Sequence, residues 1–85
     1  MPYYVEFTRP ARKELDALPN PIALQLKRHI LALEETPRPR GAKKLKGFKS
    51  AYRIRSGDYR IVYSVEDKTK TVTVTHVAHR REVYR

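Results

Sequence analysis

The first apolar side chains alternate with more polar ones, since Tyr3, Val5 and Phe7 are separated by single positions. This period of two predicts a strand with one buried face. Thr8 follows as a candidate N-cap, and the proline two residues later suits a first helical turn. The next apolar residues, over 11–18, fall on one helical face. The sequence therefore predicts a strand that leads directly into a first helix.

A second helix is predicted between Asn20 and Thr36, where another cap-then-proline start precedes a long amphipathic pattern. Its apolar stripe consists of Ile22, Leu26, Ile30 and Leu33. Leu24 and Leu31 lie off this stripe. They either pack against the first helix, which we favour, or leave apolar surface for a partner.

Three β-rich runs occupy the second half of the chain, at 51–56, 59–66 and 71–79. Turn signals at Gly57-Asp58 and at residues 67–70 separate them, which predicts an antiparallel meander. The order β-α-α-β-β-β predicts an α+β fold, an antiparallel sheet with the two N-terminal helices packed on one face. A chain of 85 residues holds one domain at most, here 1–85.

The Gly57-Asp58 turn also predicts which residues share a face of the sheet. A two-residue turn sets Arg55 directly opposite Arg60. The face under the helices then receives apolar side chains, namely Tyr52, Ile54, Ile61, Tyr63, Val65, Val72 and Val74. The opposite face holds Arg53, Arg55 and Arg60, so three guanidinium groups surround one point.

A four-residue second turn extends this register to the last strand. It places His79, with the other odd-numbered residues of that strand, on the arginine face and close to Arg60. His76 then falls on the other face as a packed or edge residue. An imidazole titrates near neutral pH, so His79 is a candidate acid/base group, whereas His29 is expected at the surface.

Net charge points to the class of partner. The chain carries 19 Lys and Arg against 9 Asp and Glu, a formal charge of +10. Such a surface attracts phosphate polyanions or an acidic protein. The segment 37–47 reads PRPRGAKKLKG, and its Lys43, Lys44 and Lys46 form either a solvated connector or a phosphate-contacting rim.

The arginine face allows a narrower interpretation. Like charges directly opposite each other in a sheet are destabilising, so a bound anion would account for the cluster. The planar guanidinium fork matches phosphate oxygens two at a time, which makes the backbone of RNA or DNA the expected ligand. The alternative is an ordinary solvated face that is rich in arginine.

Several sequence features exclude other classes of protein. The absence of cysteine fits a reducing compartment, and we expect a cytoplasmic protein. No apolar run reaches the roughly 18–20 residues of a membrane span, and the N-terminus lacks the pattern of a signal peptide. We find neither a metal-ligand set nor a phosphate-cradling glycine loop, so no metal or cofactor is expected.

Segments spread over nearly the whole chain carry a resemblance to a known family. They are YYVEF at 3–7, the helix pair ending at 36–37, KKLKG at 43–47, YRIR at 52–55, GDYRIVY at 57–63 and HRREVY at 79–84. These segments resemble the RelE/ParE superfamily of toxins from toxin–antitoxin pairs, and the RelE branch within it. The GDYR element is the most specific.

The resemblance implies a toxin that enters the ribosomal A site and cuts mRNA there. It also implies a cognate acidic, RelB-like antitoxin that wraps an extended segment around the toxin in a hetero-oligomer. Arg53 and Arg55 match the paired basic residues of the catalytic sheet, and Arg60 matches the arginine that holds the scissile phosphate. Arg80 and Tyr84 match the C-terminal arginine and tyrosine.

Familiar RelE members carry lysines where this chain has Arg53 and Arg55. A guanidinium is a poor proton acceptor, so we interpret these two residues as charge stabilisers. Proton transfer then falls to His79 or Tyr84, although Tyr84 is equally suited to packing on the core.

The expected reaction is metal-independent RNA cleavage by the 2′-hydroxyl, with Arg60 and Arg80 on the phosphate. Arg81 joins the three lysines of 43–46 as a predicted RNA contact. Two alternatives remain open. One is a ParE-like inhibitor of DNA gyrase without nuclease activity, and the other is an inactive regulator bound to an antitoxin.

Overall fold

A five-stranded sheet forms the centre of the molecule. A computed structural model describes residues 2–79, with the elements β1 (Tyr4–Phe7), α1 (Arg9–Asp16), α2 (Asn20–Ala32), β2 (Lys43–Lys44), β3 (Ala51–Ser56), β4 (Tyr59–Glu66) and β5 (Thr71–His79). The strand order across the sheet is β1-β5-β4-β3-β2. The predicted α+β fold and the bounds of the last three strands are confirmed, and a short β2 is added inside the segment expected to be a loop.

The sheet is mixed, whereas the sequence predicted an antiparallel one. β1 pairs with β5 in parallel, from Tyr4 opposite Thr71 to Phe7 opposite Val74. The other pairings are antiparallel. After β1, the two helices lead the chain to the far edge of the sheet. The antiparallel strands β3, β4 and β5 then bring it back, so that β5 lies beside β1 and runs in the same direction.

The helix starts follow the sequence signals in part. Thr8 caps α1, since its hydroxyl accepts a hydrogen bond of 3.3 Å from the Ala11 amide. α2 begins at Asn20 itself, and Pro19 stands at its cap position without a side-chain hydrogen bond. α2 ends at Ala32, short of the predicted Thr36, and the intervening residues continue as turns.

The core lies between the helices and one face of the sheet. Its largest fully buried side chains are Leu15, Leu26, Ile30, Leu33, Ile61, Tyr63, Val72 and Val74. The predicted apolar face is therefore confirmed. The expected packing of Leu24 and Leu31 against α1 is wrong, because these side chains are 56% and 58% exposed. They form apolar surface on the outer side of α2.

An irregularity in the pairing of β4 with β5 decides the orientation of the last residues. Tyr63 faces Val74, but Val62 faces His76, so Thr75 is an extra residue on β5. A β-bulge of this kind shifts every later side chain to the other face of the sheet. Val77 therefore lies opposite Ile61 in the core and is only 3% exposed.

Neither helix of the described residues is long and apolar enough to span a membrane.

Candidate nucleic-acid interface

Two rows of residues cross the face of the sheet that the helices leave open. The first row runs across four strands and consists of Lys43, Arg53, Val62 and His76. The second row consists of Arg55, Arg60 and Ala78. The predicted grouping of three arginines on one face is confirmed by this register. Lys43 joins them because β2 pairs with β3.

These side chains form a shallow depression of about 470 Å³, which we call the arginine pocket. It is lined by Gly41, Lys43, Arg53, Arg55 and Arg60. None of these described lining residues is a carboxylate. The pocket is therefore electropositive, and guanidinium groups are well suited to bind a phosphate or another oxyanion.

Arg60 is the least exposed cation of the pocket, at 7% of its surface. Its guanidinium Nη1 approaches the Tyr59 carbonyl oxygen at 3.5 Å. Arg55 stands directly opposite and is exposed to solvent. A buried guanidinium is poorly hydrated and interacts strongly with nearby charge, so an anion bound at Arg60 is held more tightly than one at the rim.

The turn between β3 and β4 sets this juxtaposition. Gly57 adopts a φ of +61°, while Asp58 has no positive φ. This pattern matches a type II′ turn, in which glycine occupies the first central position. The two-residue turn fixes Arg55 opposite Arg60, as the sequence predicted. The side chain of Ser56, just before the turn, is buried and lies 2.6 Å from Nδ1 of His29 on α2.

The basic segment between α2 and β3 divides into different roles. Lys43 lines the arginine pocket, whereas Lys44 pairs with Tyr52 and so lies on the other face. Lys46 lies beyond β2 and, like Lys44, is exposed. The structure thus brings one of the three predicted lysines to the arginines and leaves the other two outside the pocket.

Arg38 belongs to a structural network away from the pocket. Its guanidinium pairs with Asp67 at 2.8 Å and donates a hydrogen bond of 3.0 Å to the Tyr52 hydroxyl. Asp67 also accepts a hydrogen bond of 2.6 Å from Tyr3. This network ties the start of the chain and the segment after α2 to the β4–β5 turn.

The pKa values in and near this network follow from its contacts. The hydrogen bond from Arg38 lowers the pKa of Asp67, and the one from Tyr3 adds to the effect. The same hydrogen bond to Asp67 raises the pKa of Arg38. Burial raises the pKa of Tyr63 to about 12. Its hydroxyl donates to the Pro37 carbonyl oxygen at 2.8 Å.

The two C-terminal histidines lie on the faces opposite to those predicted. His79 faces Tyr59 and makes an edge contact with that ring, with centroids 5.5 Å apart. His76 lies on the open face, and its Nδ1 is 2.9 Å from the Glu14 carboxylate. The bulge at Thr75 is the physical reason, because a simple period of two omits the extra residue.

Arg80, Arg81 and Tyr84, which the sequence assigned to the site, lie outside the described residues. Within residues 2–79, no group of His, Cys, Asp and Glu side chains could hold a metal ion.

Comparison with known proteins decides the family. The family model described as "ParE toxin of type II toxin-antitoxin system, parDE" matches residues 5–84. The chain belongs to the RelE/ParE superfamily. An mRNA interferase toxin, RelE, of Escherichia coli K12 is 39% identical over 88 residues, covering 99% of this chain and 92% of its own. Toxin RelG of Mycobacterium tuberculosis is 33% identical over 86 residues, which cover 100% of this chain and 99% of RelG.

Solved structures of this superfamily share the fold. The isolated E. coli RelE toxin matches with a TM-score of 0.81 at 36% identity, covering 96% of this chain and 90% of that one. The RelE–RelB complex of Pyrococcus horikoshii matches with a TM-score of 0.82 at 33% identity, covering 94% and 97%. The predicted resemblance is therefore confirmed, and these similarities lie on the RelE side of the superfamily.

Proposed function

We propose that this RelE-type protein is the toxin of a type II toxin–antitoxin pair and cuts mRNA in the ribosomal A site without a metal ion. The observation that carries the proposal is the arginine pocket. It gathers Arg53, Arg55 and Arg60 with Lys43 on the open face of the sheet. A backbone phosphate of single-stranded RNA can enter there. Relatives named mRNA interferases support the choice of RNA.

The chemistry that suits such a pocket is an internal transesterification. The 2′-hydroxyl oxygen attacks the adjacent phosphorus, the bond to the 5′ oxygen breaks, and a 2′,3′-cyclic phosphate and a 5′-hydroxyl result. Negative charge grows on the non-bridging oxygens in the transition state. Fixed cationic donors stabilise that charge, and we assign this role to Arg60 and Arg80, with Arg53 and Arg55 as the supporting field.

The proton transfers need a base for the 2′-hydroxyl and an acid for the departing oxygen. We assign one of these steps to Tyr84, on the basis of its match to the family tyrosine. We assign neither step to His79, because its place opposite Tyr59 puts it on the other face from the arginine pocket. Arg81 and Lys43 provide further RNA contacts, whereas Lys44 and Lys46, which lie outside the pocket, could contact only RNA that extends beyond it.

The partner we propose is an acidic, RelB-like antitoxin. Structural relatives include RelE toxins in complex with RelB antitoxins. A charge of +10 on the toxin favours fast association with an acidic chain and predicts that high salt slows it. The toxin, when released from this antitoxin, would act in the cytoplasm, where ribosomes and mRNA are found.

Overproduction with mapping of mRNA 5′ ends on ribosomes tests this function. Arg60→Ala should lower the cleavage rate by about 10²–10³-fold, the usual loss for a donor to transition-state charge. Arg28→Ala, which removes a surface charge from α2, should leave cleavage unchanged. Replication arrest with an SOS response and intact mRNA would instead identify a gyrase inhibitor and overturn the proposal.

A further inference from the structure

A second concavity adjoins the arginine pocket on the open face of the sheet. It has a volume of about 770 Å³ and extends from the connection between β2 and β3 to the middle of β5. Its apolar wall includes Leu45, Phe48, Ala51 and Val62. We call it the apolar groove. This volume falls within the about 300–1,000 Å³ that is typical of small-molecule sites.

The apolar groove and the arginine pocket share one residue, Arg53. Arg53 stands between Lys43 and Val62 in the row that crosses the open face. A ligand in the groove therefore lies directly beside the phosphate-binding arginines. A nucleotide has this composition, because its flat base has apolar faces and is joined through the sugar to an anionic phosphate.

The charges of the groove favour an anionic occupant, and its exposed aromatic ring favours a single-stranded nucleic acid among these. Its charged lining residues are Lys49 and Arg53, and none of its described lining residues is a carboxylate. Phe48 lines the groove and yet is 63% exposed. Exposed aromatic rings beside basic side chains are the usual platforms on which single-stranded bases stack.

We propose that the apolar groove binds the nucleobase next to the phosphate held by the arginine pocket, with Phe48 as its stacking platform. This inference rests on the proposed function, because it requires RNA in the arginine pocket. Ser64 and His76 also line the groove and offer polar groups to the edge of a stacked base, although Nδ1 of His76 is already held by Glu14. The groove thus selects among the nucleotides presented for cleavage.

Fluorescence anisotropy with two labelled probes tests the proposal on the full chain. One probe is a short single-stranded 2′-O-methyl RNA, which cannot be cleaved by its 2′ oxygen. The other has the same backbone without bases. Stacking predicts that the wild type binds the first probe about 10-fold more tightly than the second. Phe48→Ala should remove that difference, and Phe48→Tyr should keep it.

Matched variants separate the groove from the pocket. Tyr4→Ala removes another exposed aromatic ring, 76% exposed on β1, and should leave both affinities unchanged. Arg55→Ala should weaken both probes by a similar factor, because it acts on phosphate. Circular dichroism of each variant establishes that it folds.

Four results would overturn the nucleobase site. The first is equal weakening of both probes by Phe48→Ala, the second is no effect of this change, and the third is no binding of either probe by the wild type. A loss of antitoxin binding in Phe48→Ala with unchanged RNA affinity would also overturn it, by assigning the groove to a protein partner. The proposed function is judged separately, since it stands if Arg60→Ala abolishes mRNA cleavage on ribosomes.

Discussion

Replacing Arg55 with threonine should make the fold more stable while impairing the site. Arg55 and Arg60 are directly opposite each other on β3 and β4. Opposite positions place Cβ atoms about 4.5–5.5 Å apart, and two unit charges held about 5.5 Å apart in water would repel by about 0.8 kcal/mol. Measured cross-strand effects are about 0.2–1 kcal/mol. Threonine removes the repulsion and suits a strand.

The expected gain in the free energy of unfolding is therefore about 0.5–0.8 kcal/mol. In a domain of this size, that gain corresponds to a rise in Tm of about 2–6 °C. Thermal unfolding followed by circular dichroism measures it. Lys44→Thr is the matched control, because it also removes one exposed positive charge from a strand but faces Tyr52. It should leave Tm within the range of ordinary surface changes.

Salt tests whether charge repulsion is the cause. The Debye length falls from about 30 Å at 10 mM salt to about 3 Å at 1 M, so the gain of Arg55→Thr over the wild type should shrink over this range. The same variant should cleave mRNA more slowly. A lower Tm for Arg55→Thr, or a gain that is the same at both salt concentrations, would refute the like-charge explanation.

Three further predictions follow from contacts outside the pocket. The pKa of Asp67 is lowered in the folded state, so the stability that this carboxylate contributes is present above about pH 4 and is lost in acid. Asp67→Asn should therefore make the fall of Tm below about pH 4 less steep. The pKa of Tyr63 is raised to about 12, so the stability that its neutral hydroxyl contributes is lost as pH rises from about 10 to 12. Tyr63→Phe should reduce that loss, which unfolding curves at alkaline pH would measure. Deletion of Thr75 should lower Tm, as measured by thermal unfolding, because it removes the bulge that keeps Val77 in the core. Unchanged Tm profiles in the first two variants, or a deletion as stable as the wild type, would contradict these assignments.

The hairpin of β3 and β4 was predictable from the sequence because a local signal determines it. Gly57-Asp58 fixes the turn length, and the turn length fixes the pairs from Arg55–Arg60 to Tyr52–Tyr63. Alternation of side chains then assigns each residue to a face. The arginine cluster was therefore accessible without any structure.

The placement of the histidines was not predictable in the same way. Periodicity assumes that each residue on one strand has one partner, and the extra residue Thr75 carries no local signal of its own. The bulge is favoured by the burial of Val77, which depends on how the whole sheet packs on the helices. His76 on the open face could have been found only by asking which register buries Val77.

Contacts between distant segments were also beyond the sequence pattern. Nothing near Arg38 indicates that it pairs with Asp67 rather than with a phosphate. The parallel partner of β1 likewise depends on the path of the whole chain. Leu24 and Leu31 show the opposite error. Both were expected to pack against α1 because they are apolar, yet both are exposed on α2.

The pairing of β1 with β5 has a consequence for synthesis. β1 leaves the ribosome well before its partner, which begins at Thr71. Until β5 has emerged, the edge of β1 has no strand beside it, and closing so long a loop slows folding. The sheet, and with it the open face that carries the arginine pocket, is therefore complete only once β5 has emerged from the ribosome.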